Sequence, residues 1–188
     1  HRHKRVDNYY WMRDDDRKNE EILAHLTAEN TYADQILAPL ASLQTELFEE
    51  LKARIVKDDN TVPAKDGHYW YHSEISGEQE YARYYRATSF EGDNKQLLLD
   101  VNERAAEHEF YDLGDLSISP NDHILSLSED TDSRRIYTIY FKQLSGNVDV
   151  NAANDNDSFL TDVLTETEGQ VIWANDNQTV FYVKKDLD

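Results

Sequence analysis

Asp66-Gly67-His68-Tyr69-Trp70-Tyr71 begins a pattern that returns as Asn121-Asp122-His123-Ile124-Leu125-Ser126 and again as Asp176-Asn177-Gln178-Thr179-Val180-Phe181-Tyr182, at intervals of about 55 residues. Each copy is a polar turn followed by a run of β-forming residues, and repeats of this kind are typical of the blades of a β-propeller. A blade buries its faces against neighbouring blades, so two copies and the opening of a third are expected to be part of a longer protein. The pattern therefore predicts an incomplete propeller.

A helical pattern precedes the repeats. Apolar residues recur at helical spacing up to about residue 37, after three aspartates at 14–16 whose charge favours a helix N-terminus. Pro39 interrupts this pattern, and a second helix is expected beyond it, supported by Glu50 and Arg54 one turn apart. The second helix should bury an apolar stripe of five residues, namely Leu40, Leu43, Leu47, Leu51 and Ile55. We expect a mainly β fold with an N-terminal helical arm over residues 1–60, packed on an incomplete β-propeller over residues 61–188.

Six strands are expected in the two complete copies. They cover residues 69–72, 81–88, 96–100, 116–119, 124–128 and 136–141. The last of these strands is apolar or aromatic on both faces, which indicates that other sheets cover it on each side. Stacked blades are therefore favoured over an open sheet.

Residues 146–169 have a different composition, rich in Asn, Asp, Ser, Thr and Glu and without Lys or Arg. We expect an exposed acidic loop with one short edge strand near residues 162–165. The β pattern then resumes at Trp173 and continues over residues 180–183.

The composition limits the possible functions. The chain has 188 residues, 38 acidic and 19 basic, with a formal net charge of −19. Such a charge repels nucleic acids and anionic membranes and attracts cationic ligands, so nucleic-acid and membrane binding are disfavoured. The absence of cysteine excludes disulfides, thiolate metal sites and a cysteine nucleophile, and fits a cytoplasmic location.

Motifs that carry catalysis are absent from the sequence. It contains no G-x-S-x-G nucleophile elbow, H-E-x-x-H motif or glycine-rich phosphate loop. We therefore expect no catalytic, substrate-binding or metal-ligating residue and no cofactor within this chain. Weaker patterns have structural interpretations that we favour over functional ones.

Two of these patterns concern metals. His68 and His72 are four residues apart, which on a helix would place both at one metal, but the aromatic residues around them indicate a strand with about 13 Å between the two positions. Asp155, Asp157 and Glu166 have the spacing of a calcium loop, but Leu160 stands where that loop needs glycine. We interpret the second pattern as a solvated loop.

The remaining patterns are similarly weak. Residues 107–109, Glu-His-Glu, could transfer a proton but are expected to be an exposed connection. Asn156 and Asn177 each begin a glycosylation sequon, which matters only in a secretory pathway. Two aromatic clusters, residues 9–11 and 81–85, could stack on a ligand, but we expect them in the core.

One longer stretch makes the sequence recognisable. Residues 7–17, DNYYWMRDDDR, and residues 26–32, LTAENTY, resemble the N-terminal part of the prolyl oligopeptidase family of serine peptidases, with the nearest likeness in its oligopeptidase B (protease II) branch. Further similar segments follow in the same order at residues 50–55, 62–63, 69–71, 98–102, 117–121, 173–177 and 181–183.

The resemblance implies a peptidase that cleaves short peptides after Lys or Arg. In that family an α/β-hydrolase domain carries the Ser, Asp and His of the triad, while a seven-bladed propeller restricts access to it. This chain would then be the N-terminal arm, the first two blades and the start of a third, inactive alone, with its own α/β-hydrolase domain and short basic peptides as partners. The segment 147–157 is longer than the family pattern leads us to expect.

Two alternatives remain open. The whole protein could be a propeller-type interaction module without a hydrolase domain, or a prolyl-specific relative. An isolated set of open blades has unpaired strand edges and apolar faces, so we also expect this chain to associate with itself.

Overall fold

The computed structural model describes residues 3–77, 79–92, 94–144 and 159–187. The chain divides into two compact units, His1–Val56 and Lys57–Asp188. The first unit is helical and the second is built from β-strands. The division into an arm over 1–60 and a propeller part over 61–188 stays a prediction.

Two helices form most of the first unit. Helix α1 spans Glu20–Leu37, a 3-10 turn spans Ala38–Leu40, and helix α2 spans Ala41–Ala53. The N-cap of α1 is Asn19, whose side chain accepts hydrogen bonds from the backbone N–H groups of the first helical turn.

The aspartates at 14–16 do not cap α1. Asp14 instead accepts the backbone N–H groups of Lys18 and Asn19 at 2.6 and 2.7 Å, in the loop before the helix. The hydrogen bond from Asn19 is the main reason why the pKa of Asp14 is lowered. The sequence therefore indicated the start of the helix but not the residue that caps it.

The apolar stripe predicted to be the buried face of the second helix is exposed. Its five residues, Leu40 to Ile55 in steps of three or four, are between 47% and 68% exposed. Within the described part of the first unit, Ile22 alone is a buried hydrophobic residue. The helical period was predicted correctly, but the burial was wrong, because each of these five side chains is about half exposed or more.

The first sheet contains five strands, and neighbouring strands are antiparallel. Both β1 and β2 pair with β3, which is followed in the sheet by β4 and then β5. The bounds are Asp59–Asn60, Ala64–Asp66, Tyr69–Ile75, Arg83–Ala87 and Gln96–Asp100 for β1 to β5. The three strands predicted here are confirmed, with β3 longer and β4 shorter than expected.

A short helix, α3 (Val101–Ala105), leads to the second sheet. The order in that sheet is β6, β7, β8, β9 and β10, and all neighbours are antiparallel. The bounds are Asp112–Ile118, Ile124–Asp130, Tyr137–Gln143, Phe159–Trp173 and Val180–Lys184 for β6 to β10.

The three sequence repeats coincide with three equivalent turns. Gly67 lies between β2 and β3, Asp122 between β6 and β7, and Asn177 between β9 and β10, and their φ angles are 54°, 63° and 62°. Glycine, aspartate and asparagine tolerate this left-handed conformation better than other residues. The interval in the sequence is therefore the interval between left-handed turn residues.

Strand β9 corrects the prediction of an exposed loop with a short edge strand at 162–165 for residues 159–169, whereas residues 146–158 of that predicted loop lie outside the described residues. Its first part pairs with β8 and its last part pairs with β10, with Thr167 in both registers. Glu166 and Gly169 have positive φ angles on either side of this change of partner. The full length of the strand was not predicted because two of its buried positions are Thr167 and Gly169, which interrupt the alternation of apolar residues ahead of Val171.

The main hydrophobic core lies between the first and second sheets. It joins Leu98 and Leu99 of β5 to Leu125 and Leu127 of β7, with Tyr81 and Tyr84 packed against it. A second core lies on the other face of β8 and comprises Ile139, Phe141 and Val171. The strand therefore has apolar contacts on both faces as predicted, but the second cluster is formed by strands of its own sheet, so cover by a further sheet on that face stays a prediction.

The described part of the chain contains no helix that is both long and apolar enough to cross a membrane.

Candidate functional site

A cleft of about 440 Å³ lies between the first and second sheets. Its aromatic and aliphatic lining comes from both sheets and includes Tyr71, Tyr84, Tyr85, Leu98, Leu116, Ile118 and Leu125. Leu98 and Leu125 also belong to the buried core. The cleft is therefore an opening that reaches the core, with an apolar interior.

Polar groups also line this cleft. Thr61 and Ser73 contribute hydroxyl groups, and Asp66 contributes a carboxylate. Asp66 is exposed, and among the residues described by the structure its carboxylate has no hydrogen-bond or ion-pair partner. An apolar cavity with a few polar groups is the usual composition of a small-molecule site.

The edge of the first sheet is interrupted beside the cleft. Residues 61–63 separate β1 from β2, and Pro63 has no N–H to donate to β3. Thr61 holds this edge, because its N–H donates to Ser73 O at 3.0 Å and its Oγ1 accepts from Ser73 N–H at 2.8 Å. Thr61 and Ser73 are thus fixed relative to each other at the cleft.

Asp122 links the first and second sheets by hydrogen bonds, at the end where the turns of Gly67 and Asp122 lie. Its Oδ2 lies 2.8 Å from His68 Nδ1, and its Oδ1 accepts from the hydroxyl of Tyr71 at 3.3 Å. The fully buried Arg86 donates from Nη1 to Asp122 O at 2.5 Å. A Cβ added at Gly67 would lie 3.0 Å from Asp122 Oδ1, so the first turn also approaches this aspartate closely.

This junction perturbs the phenol of Tyr71. Burial is the largest cause and the charge of Asp122 the next, and together they raise the pKa of Tyr71 to about 12 although Arg86 opposes them. At physiological pH the phenol of Tyr71 is therefore neutral, and its hydroxyl donates a hydrogen bond to the Asp122 carboxylate.

A second group of buried charges lies near α3. Glu129 accepts hydrogen bonds from Arg104 Nε and Nη2, both at 2.6 Å, and from the hydroxyl of Tyr111 at 2.5 Å. The hydrogen bond to Glu129 raises the pKa of Arg104, and burial followed by Glu129 raises the pKa of Tyr111. Lys142, also buried, donates to Leu98 O at 2.5 Å. These charges have partners inside the chain, which indicates a structural role.

The two histidines of the possible metal pair have different partners. His68 lies in the first turn beside Asp122, whereas His72 on β3 has its Nε2 3.1 Å from Glu74 Oε1 and its ring stacked on Tyr85. In the described ranges, no group of three or more His, Asp or Glu side chains is placed to hold a metal ion.

The other weak patterns are only partly within the described residues. Asp155, Asp157 and Asn156 lie outside them, while Glu166 lies on β9, where its Oε2 is 3.1 Å from Lys184 Nζ. Asn177 occupies the third repeat turn, and residues 107–109 form an exposed connection after α3.

One of the two aromatic clusters is not in the core. Tyr9, Tyr10 and Trp11 are 70%, 64% and 50% exposed, so that prediction was wrong. Tyr81 and Tyr84 pack against the core as expected. Sequence analysis missed the grouping of Tyr71, Asp122 and Arg86, although the repeat interval places Gly67 and Asp122 at equivalent turns.

Comparison with known proteins agrees with this architecture. Residues 1–188 match the family model described as prolyl oligopeptidase, N-terminal beta-propeller domain. Among curated relatives, dipeptidyl aminopeptidase BI of Pseudoxanthomonas mexicana is 37% identical over 99% of this chain and 26% of its own length. Protease 2 of Moraxella lacunata is 28% identical over 75% of this chain and 21% of its own length.

A solved structure gives the same result. Oligopeptidase B from Leishmania major matches 97% of this chain and 25% of its own chain, with 29% identity and a TM-score of 0.82. The present chain thus spans about a quarter of the length of the relatives named here. The predicted fold class, mainly β with part of a propeller, is confirmed by these matches. The chain belongs to the prolyl oligopeptidase family, in which it corresponds to the N-terminal β-propeller domain.

Proposed function

We propose that this chain is the non-catalytic N-terminal and propeller portion of a serine endopeptidase that hydrolyses short peptides after Lys or Arg. The observation that carries this proposal is the match of residues 1–188 to the N-terminal propeller family. The structural likeness to an oligopeptidase B, with a TM-score of 0.82, supports the substrate class. The triad of Ser, Asp and His would lie in an α/β-hydrolase domain outside these residues.

The part played by this chain is the control of access. Stacked sheets with a shared core form a stiff wall, and a ring of such sheets admits short peptides while it excludes folded proteins. At the hydrolase domain, a serine hydroxyl would attack the peptide carbonyl, a histidine would take its proton, and backbone donors would hold the oxyanion. No residue of this chain takes part in those steps, and we propose a cytoplasmic location and no cofactor.

Charge supports a basic substrate. The chain carries a formal net charge of −19, which raises the local concentration of peptides that contain Lys or Arg. Such steering is screened by salt. Cleavage of basic peptides by the whole protein should therefore slow as ionic strength rises, and cleavage that is independent of salt would contradict this part of the proposal.

The proposal is tested by comparing the whole protein with this chain. We expect the whole protein to hydrolyse amino-blocked peptide amides after Arg and Lys, and this chain to be inactive on the same substrates. A serine-directed inhibitor should abolish the activity of the whole protein. Hydrolysis by the purified 188-residue chain, with the same inhibitor sensitivity and with contaminating protease removed, would contradict the assignment.

A second candidate is dipeptidyl aminopeptidase activity. It is favoured by the relative of that name, which is 37% identical to this chain. An aminopeptidase needs a free amino terminus, so blocking the terminus of an otherwise identical substrate separates the two activities. A preference for Pro over Arg in the same assay would favour a prolyl-specific enzyme, and a whole protein without a hydrolase domain would favour an interaction module.

We further propose that the isolated chain associates with itself. The edge strand β10 presents exposed apolar residues, with Phe181 and Val183 63% and 61% exposed, and α2 presents its apolar stripe. Sedimentation of the chain over a tenfold range of concentration should show dimers or larger species. A monomer across that whole range would contradict this proposal.

A further inference from the structure

We propose that the cleft between the first and second sheets binds an organic cation carried on an apolar stem, the chemistry of an Arg or Lys side chain of a peptide. The inference rests on the proposed function, which makes such peptides the substrate, and it assigns a specific binding place on the propeller.

The interior of the cleft fits the stem. Tyr71 and Tyr84 of the first sheet face Leu116 and Ile118 of the second across the cleft, and Leu125 belongs to the core at which it ends. Arg and Lys bury their methylene groups along apolar surface while the charged head stays near polar groups. The volume of about 440 Å³ lies within the range of small-ligand sites.

The polar lining fits the charged head. Asp66 supplies a carboxylate without a partner among the described residues, and the hydroxyls of Thr61 and Ser73 are held by their mutual hydrogen bonds. Tyrosine rings add faces that attract cations. In the described part of the chain, no lysine or arginine lines the cleft.

Two cations of the first sheet, Lys95 and Arg86, are engaged with other groups. Lys95 Nζ lies 2.5 Å from Glu74 Oε1 and 4.4 Å from the centre of the Tyr85 ring. Arg86 donates to Asp122 O and, at 2.8 Å, to Gln96 Oε1. The Asp66 carboxylate is therefore available to a cation from outside the chain.

The test uses two nearly isosteric probes, N-acetyl-arginine amide and N-acetyl-citrulline amide, which differ in charge. Each is titrated into the isotope-labelled 188-residue chain at low salt, and amide shifts are followed by NMR. We expect saturable shifts with the arginine probe around residues 116–118, and binding of the citrulline probe at least about threefold weaker. Equal binding of both probes, or no saturable shift, would overturn the proposal.

Matched variants distinguish binding in the cleft from attraction by the net negative charge of the chain. Asp66→Asn should weaken the arginine probe about threefold, whereas Asp59→Asn removes the same charge from an exposed residue outside the cleft and should have a smaller effect. Ala64→Phe should fill the cleft and abolish binding, whereas Ala33→Phe on α1 should not. Equal effects of the two Asn variants, or binding that survives Ala64→Phe, would assign the attraction to net charge alone.

The two proposals fail separately. Binding is measured on this chain without any cleavage, while peptidase specificity is measured on the whole protein. If the whole protein cleaves after Arg and Lys but this chain binds no arginine probe in the cleft, only the binding site proposed here is wrong. If the probe binds in the cleft but the whole protein does not prefer Arg and Lys, only the proposed substrate class is wrong.

Discussion

The helical unit and the β unit differ in how far their apolar side chains are buried. In the β unit, Leu125 and Leu127 are 1% exposed because a neighbouring sheet covers them. In the helical unit, α2 has an equally regular apolar stripe that stays about half exposed. The comparison shows that periodicity in a sequence specifies which face of an element is apolar, whereas burial depends on whether another element packs against that face.

The largest difference in stability between the two units is expected when one ion pair is broken in each. Glu129→Ala removes the partner of the partly buried Arg104 and the acceptor of the buried Tyr111 hydroxyl, and should lower the free energy of unfolding of the β unit by about 3–5 kcal/mol. Glu50→Ala breaks the exposed Glu50–Arg54 pair on α2 and should cost about 0.5 kcal/mol or less. Urea unfolding measures both, and similar costs would contradict the contrast.

Leucine truncation tests the same contrast with apolar residues. Leu127→Ala should destabilise the chain by about 3 kcal/mol because it leaves a cavity between the sheets. Leu47→Ala, at the exposed stripe of α2, should cost less than about 1 kcal/mol, since alanine also favours the helix. A large loss for Leu47→Ala would show that the stripe of α2 is covered in solution.

A smaller effect on stability is expected at Gly169, close to the point where β9 changes its pairing partner from β8 to β10. Gly169 has a φ of 92°, and a Cβ there would lie 2.9 Å from Tyr137 Cγ. Gly169→Ala should therefore cost about 1–3 kcal/mol more than Gly77→Ala, whose φ is also positive but which has no atom within 4 Å of an added Cβ. Thermal unfolding of the two variants separates crowding from backbone strain. Equal costs would show that Tyr137 can move aside.

The smallest effect concerns the junction of the sheets at Asp122. The pKa of Tyr71 is raised to about 12, above the ordinary value near 10, so its contribution to stability is complete below pH 10 and is lost as the pH rises towards 12. Absorbance at 295 nm should show a late-titrating phenol. Asparagine also tolerates the left-handed turn, so Asp122→Asn should lower the pH at the midpoint of Tyr71 ionisation without disturbing the backbone. An unchanged midpoint would show that Asp122 does not contribute to the raised pKa of Tyr71.

Much of the β unit could be predicted from the sequence. The turns at Gly67, Asp122 and Asn177 follow from local conformational preference, which a sequence records directly. Strand β9 could not be predicted in full, because the buried positions Thr167 and Gly169 carry small residues and a Cβ at Gly169 would lie 2.9 Å from Tyr137 Cγ. Packing between distant residues decides those positions, and it has no local signature.

The candidate site was predictable only in part. The turn positions of Gly67 and Asp122 indicated that the ends of the two sheets are equivalent, but nothing local in the sequence connects Thr61 with Ser73 or Tyr71 with Leu116. The cleft lies beside the interruption of the first sheet's edge at Pro63, between two sheets that share a core. Both conditions are long-range consequences of the topology.

Amide hydrogen exchange of the 188-residue chain tests the contrast between the two units most directly. Amides of β7 and β8, which are buried between neighbours, should exchange through global unfolding, while those of α2 should exchange through local opening at a far lower free energy. Protection of α2 equal to that of β7 and β8, measured at a concentration where the chain is monomeric, would contradict the exposure of the apolar stripe of α2.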